Sequence, residues 1–245
     1  MERDDTLGVL TLVGRSFRLV YEGFGFLFPL GFVPSLAISL LTYAVMGGPS
    51  EPMPVDFALS PAFLGTLAVN LVGGVLVSGV MCLAALDVAL GKRHGLSEYL
   101  GQALRHLAPL ILLGFLVSLA IGLGATLFLI PGLYLAARFL PWTQAALFEN
   151  AGWGALGRAQ ELTEGYRWPL VLAIVAMGLA TLAIFVVAGP IMAMALDSLI
   201  LASLVEAAFT ALAYALVSAF SGLAYLRLRE IKEGVTATDV AGMID

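Results

Sequence analysis

Five polar side chains stand inside stretches of the chain that are otherwise almost wholly apolar: Asn70, Asp87, Arg138, Gln144 and Glu206. Ionisable groups in such settings are costly, and where they occur they mark ion paths, proton relays, ligand sites or paired structural contacts. Arg138 and Glu206 lie at similar depth, each about six residues into its stretch, so the sequence predicts that they pair. Asp197 is an alternative partner for Arg138, although it reads as a loop residue. Such a pair is more often structural cement than part of a transport route. Asp87, at the end of its stretch, is expected to cap the helix or to pair with Lys92 or Arg93. Asn70 and Gln144 are expected to bond across helices rather than to line a path.

No catalytic set emerges from the remaining residues. His94 and His106 fall in one polar linker and read as solvated or lipid-facing. There is no HExxH, so a zinc protease has no ligands. No serine has a buried histidine to activate it. No Gly-rich phosphate loop carries its lysine, and the two lysines are Lys92 and Lys232. The lone Cys82 excludes an intramolecular disulfide and most thiolate metal sites. The expectation is a non-enzyme without catalytic, cofactor or metal site.

The elements that would hold these residues follow from composition. Of 245 residues, 60% are apolar and 12% charged, about half the charge of an ordinary soluble domain. A soluble fold could not cover itself with so few polar groups, whereas lipid removes that demand. The chain therefore reads as all-α, a polytopic integral membrane protein of about six transmembrane helices, each needing about 20 apolar residues. They are placed at about 24–46, 62–90, 107–130, 133–148, 168–190 and 199–226, the fourth being short. Gly47-Gly48-Pro49 closes the first, and Pro131-Gly132 turns the chain between the third and fourth. Pro29 and Pro34 are expected to kink the first and to free carbonyls near Gly25 and Leu30.

Eleven of the twelve basic residues lie between or beyond these stretches, all on one side of an even-numbered topology, and none lies on the other. Arg138 is the twelfth. By the positive-inside rule both termini are cytoplasmic, in a bacterial inner membrane. The acidic start, Met1 to Asp5, and the early Arg15 and Arg18 give no cleavable signal. The arginines hug the span ends, where anionic headgroups account for them. Membrane lipids are thus the expected partners, with other membrane-protein subunits or a second copy, and not nucleic acid.

Each odd-numbered span is preceded by a short amphipathic stretch. Glu98, Gln102 and Arg105 face away from Leu96, Leu100, Ala103 and Leu104; Arg158 and Glu161 oppose Leu156, Ala159 and Thr163; Arg15, Arg18 and Glu22 oppose Leu10, Gly14, Phe17 and Tyr21. Such helices lie in the membrane interface. Leu-Gly-Arg-like segments recur at residues 12–16, 99–103 and 155–159, with Pro29, Pro109 and Pro169 downstream. The chain reads as one membrane domain, 1–245. It holds three candidate parallel units, 1–90, 91–149 and 150–233, with a tail at 234–245. Small residues form two stripes at four-residue spacing, Thr66-Asn70-Gly74-Ser78-Cys82 and Gly114-Ser118-Gly122-Thr126. They predict packing of the second and third spans on each other, with a dimer or partner interface as the other reading.

The stretch Ile130-Pro131-Gly132-Leu133-Tyr134-Leu135-Ala136-Ala137-Arg138-Phe139, with Glu149 and then Gly157-Arg158-Ala159-Gln160-Glu161, resembles a group of bacterial six-span proteins. The group comprises the membrane domain attached to some glycerophosphodiester phosphodiesterases and the YciC-like inner-membrane proteins. The resemblance matches Pro131, Gly132, Arg138, Glu149 and Arg158. It covers the central third well and the rest by topology only. It implies six spans and little function, and the phosphodiesterase activity does not carry over, because the chain lacks that soluble domain. The expected function is a scaffold, assembly factor, accessory subunit or envelope-homeostasis factor. A small transporter or channel-like protein with a polar site around Arg138 and Glu206 is the alternative.

Overall fold

The computed structural model describes residues 7–46 and 60–235. The acidic start, the Gly47-Gly48-Pro49 terminator and most of the tail lie outside these residues. Every regular element described is helical: α1 (Val9–Glu22), α2 (Phe24–Met46), α3 (Pro61–Ala89), α4 (Leu96–Arg105), α5 (Leu107–Leu127), α6 (Leu129–Phe139), α7 (Trp142–Phe148), a 3-10 turn (Gly152–Gly154), α8 (Ala155–Thr163), α9 (Arg167–Ala195) and α10 (Leu199–Glu233).

Five helices, α2, α3, α5, α9 and α10, are long and apolar enough to cross a membrane. At 1.5 Å per residue, the shortest of them, α5, runs about 30 Å, the thickness of a bilayer's hydrocarbon. Ser60 starts α3 by accepting from the Phe63 amide at 3.1 Å, with Pro61 in the first turn where its missing N–H costs little. Ser198 caps α10 in the same way on the Leu201 amide, 3.3 Å, and Gly234, at φ 68°, ends that helix in a left-handed turn. Helix α2 runs unbroken through Pro29 and Pro34.

The fourth expected span is not one helix. The chain breaks at Leu140 and Pro141, so residues 133–148 divide between α6 and α7. The turn also comes earlier than expected: Phe128, in extended conformation, ends α5, and Pro131 sits in the first turn of α6. Two further ends move. Helix α9 passes through Pro190 to Ala195, and α10 extends seven residues past Leu226, carrying Arg227, Arg229 and Lys232 on its last turns.

The core lies where α10 packs on α2 and α3. Helix α10 turns Ala207, Ala211, Ala215 and Ala219 inward at four-residue spacing, all fully or nearly fully buried. Gly31 of α2 fits against this row: a Cβ there would stand 3.4 Å from Ala211 Cα. Helices α5 and α9 are the least enclosed of the five. Helices α1, α4 and α8 gather at one end of the bundle. Here α1 meets Ala89 and Arg227, α4 packs beside the end of α3, and α8 reaches the end of α10. This is the end that holds the basic residues. Tyr99 and Ala103 of α4 and Leu12, Ser16 and Leu19 of α1 turn into the core, while Leu96, Leu100 and Leu104, and Leu10, Phe17 and Tyr21, stay exposed.

Candidate functional site

Arg138 and Glu206 do not pair. Arg138, in the last turn of α6, donates through Nη2 to Gln160 Oε1 of α8, at the basic end. Glu206 sits in the second turn of α10 and accepts from Ser39 of α2. The early start of α6 and the break after it carry Arg138 toward the basic end, away from the depth of Glu206.

Around Arg138 the elements form a cationic corner. Arg167, the first residue of α9, donates to the Gln160 carbonyl at 3.4 Å and to the Tyr134 hydroxyl at 3.0 Å. Both guanidinium groups therefore converge on one residue of α8. The Thr163 hydroxyl fastens α8 to α6 by donating to the Arg138 carbonyl, 3.0 Å. Tyr134 and Trp168 have ring centroids 5.8 Å apart, and Trp168 is exposed. Among the described residues neither arginine has a carboxylate partner, and the Nε of each is buried without a hydrogen bond.

The second assembly is closed and charge-balanced. Glu149, just past α7, accepts from Arg158 Nε at 2.5 Å and from the Tyr225 hydroxyl at 2.8 Å. Arg158 also reaches Glu233, and Arg229 binds Glu233 at 2.9 Å and Tyr225 at 3.1 Å. Two arginines and two glutamates thus tie α7, α8 and α10 together. The bond to Glu149 pushes Arg158 above the ordinary arginine value, with burial opposing it and Glu233 adding to it.

At the end of α3, Asp87 takes partners other than Lys92 or Arg93. His94 Nδ1 lies 2.5 Å from Asp87 Oδ2, and the Tyr99 hydroxyl donates to the same oxygen at 2.7 Å. The Tyr99 oxygen in turn accepts from the His94 amide, 3.0 Å. His94, expected to be solvated or lipid-facing, is thus bound to a buried carboxylate, which raises its pKa above the ordinary imidazole value. A cavity of about 440 Å³ opens beside these groups, lined also by Glu98, Gln102 and Arg105.

At the other end of the bundle Glu206 lines a smaller cavity of about 100 Å³ between α2, α3 and α10, with Ser35, Ser39, Thr42, Asn70 and Thr210. Asn70 donates to Thr42 Oγ1 of α2 at 3.0 Å and to its own helix at Thr66 O, 2.9 Å. Gln144 of α7 is fully buried and donates to Ser221 of α10 at 2.7 Å. Both amides bond across helices, as expected.

The two small-residue stripes face each other but do not close. Gly74, Ser78, Gly114 and Ser118 line a space of about 270 Å³ into which Trp142 and Tyr214 reach. Trp142 Cη2 stands 3.4 Å from where a Gly114 Cβ would be, and nothing approaches Gly122 within 4 Å. The close approach on α5 lies two residues further on, at Gly124 against Gly132 of α6. Sequence spacing missed it because the contact needs only one small residue on each helix. It also missed Gln160 and Arg167, whose polar linker position carries no signal, and the alanine row of α10, where alanine is an ordinary helix former.

Comparison with known proteins found no protein family, no curated protein and no solved structure that matches this chain.

Proposed function

We propose that this chain is a non-enzymatic integral membrane protein of a bacterial inner membrane, with both termini cytoplasmic. It works through contacts at the inner membrane surface, as a scaffold, assembly factor or accessory subunit, or as an envelope-homeostasis factor, and holds the phosphate of an anionic lipid headgroup. One observation carries the lipid contact: Arg138 and Arg167 meet at Gln160 with no carboxylate among the described residues to neutralise them, beside an exposed Trp168. Arginine forks suit phosphate oxygens, and tryptophan and tyrosine favour the headgroup level. Six crossings are supported by parity. Helix α5 leaves the basic end, α8 lies at that end, and α6 with α7 brings the chain back between them. The orientation is supported by the eleven basic residues gathered on one side. The short helix before each of α2, α5 and α9 supports the reading as three parallel units. The likeness to the glycerophosphodiester phosphodiesterase membrane domain and the YciC-like proteins is in keeping with the bonds that join Glu149 to Arg158 and Arg138 to Gln160.

Native mass spectrometry of protein released from nanodiscs tests this. The expected result is retention of phosphatidylglycerol over phosphatidylethanolamine, lost in Arg138→Gln/Arg167→Gln while helical content is kept. Equal retention of both lipids, or retention unchanged in the double variant, overturns the lipid reading. A stoichiometric protein partner would support the accessory-subunit role. A second reading, a small transporter or channel-like protein, is favoured by the carboxylate of Glu206 lining a polar cavity inside the bundle.

A further inference from the structure

We propose that Glu206, with Ser39, Asn70 and Ser35 around the cavity between α2, α3 and α10, binds one small hard monovalent cation of the sodium kind. The site does not depend on the lipid contact at the opposite end of the bundle.

Charge is the first argument. Glu206 stands seven residues into α10, about 10 Å from its start. Among the described residues no arginine, lysine or histidine pairs with it. Ser39 donates to its carboxylate. This bond orients the group without neutralising it. A carboxylate held in low dielectric without a counter-charge takes up a proton or a cation.

The donor set selects between classes of cation. Both amide hydrogens of Asn70 are committed, one to Thr42 Oγ1 and one to Thr66 O, so its Oδ1 remains as an acceptor. Ser35 is 7% exposed, lines the same cavity and, among the described residues, has no hydrogen-bond partner for its hydroxyl. Buried hydroxyls are rarely left so, and a water or an ion held in the cavity would supply the partner. The lining thus offers one carboxylate and several neutral oxygens, without sulfur or imidazole. Calcium and magnesium draw on more carboxylates, or on several waters, and transition metals prefer softer donors. One negative charge among neutral oxygens balances one monovalent cation. At about 100 Å³ the cavity admits an ion and a water, whereas organic ligands need about 300 Å³ or more.

The experiment is thermal unfolding of the purified protein in neutral detergent at pH 8, titrating NaCl against choline chloride at constant ionic strength. Stabilisation by sodium and not by choline is expected, growing with the logarithm of concentration above half-saturation. Glu206→Gln should abolish the sodium response. Ser35→Ala should keep the midpoint in choline, since no bond is lost, and weaken apparent sodium affinity roughly tenfold, a factor equal to about 1.4 kcal/mol. Identical curves in sodium and choline overturn the proposal and leave Glu206 as a hydrogen-bonded structural group. So does a sodium response that survives in both variants. If Glu206→Gln does not fold, the Ser35→Ala titration decides alone.

Discussion

The imidazole of His94 lies 2.5 Å from Asp87 Oδ2, and Asp87 itself is almost fully enclosed. The contact joins the last turn of α3 to the linker that leads into α4. Because Asp87 favours the charged imidazole, the folded pKa of His94 is raised, with Glu98 adding and Lys92 opposing. The contribution to stability is then complete below the unfolded histidine value of about 6.5 and fades as pH rises through the raised folded value. The His94 Cε1 proton should titrate above the ordinary histidine range by NMR. Asp87→Asn should return it to that range and flatten the alkaline decline in stability; a titration unmoved by Asp87→Asn would contradict the pairing.

The network at Glu149 should matter far more than the surface pair Arg18–Glu22. Glu149→Ala removes the bonds that Arg158 and Tyr225 make to Glu149 in a partly enclosed site, and losing hydrogen bonds to a charged group costs about 2–3 kcal/mol. Arg18→Ala, in a fully exposed pair, should leave the unfolding midpoint where it was. Equal effects of the two changes on chemical denaturation in detergent would count against the network as the tie between α7, α8 and α10.

Glycine at 132 is required by contact. A Cβ there would stand 2.7 Å from the Ala125 amide nitrogen, and backbone cannot yield as a side-chain tip can. Gly132→Ala should force α5 and α6 apart at a cost of about 2 kcal/mol. Gly122→Ala, which meets nothing within 4 Å, should be neutral or slightly stabilising through helix propensity. Unfolding midpoints of the two variants separate these outcomes.

Gln144 is fully buried, donates to Ser221, and among the described residues its Oε1 has no partner. Interhelical hydrogen bonds of this kind are worth roughly 1 kcal/mol in a membrane. Gln144→Leu should therefore destabilise by no more than about 1 kcal/mol. Adding Ser221→Ala should cost little more, because without Gln144 the Ser221 hydroxyl keeps only its local bond to the Ser218 carbonyl, 3.2 Å. A double-mutant cycle with no coupling would mean that the bond is not formed.

Hydrophobicity determined most of the fold on its own. A span of about 20 apolar residues is legible without partners because the requirement is set by lipid thickness and not by neighbours. Five of the expected spans therefore reappear as α2, α3, α5, α9 and α10. The short helices α1, α4 and α8 were legible too, since their periodicity is local. The stretch at 133–148 was legible as apolar, but its break at Leu140–Pro141 was not, since prolines also occur within continuous helices here, as α2 and α9 show.

The polar residues divide in the same way. Their unusual placement at Arg138, Glu206, Asp87, Asn70 and Gln144 was a property of the sequence alone, because each stands out against its apolar neighbours. Who meets whom was decided by the tertiary structure. Arg138 took Gln160, Asp87 took His94 and Tyr99, and Glu206 took Ser39. A side-chain contact depends on the rotation and offset of whole helices, which are fixed by packing such as Gly132 on Ala125 and Gly31 on Ala211. Depth along a span, which sequence does give, locates a residue on one axis only, and a hydrogen bond needs all three.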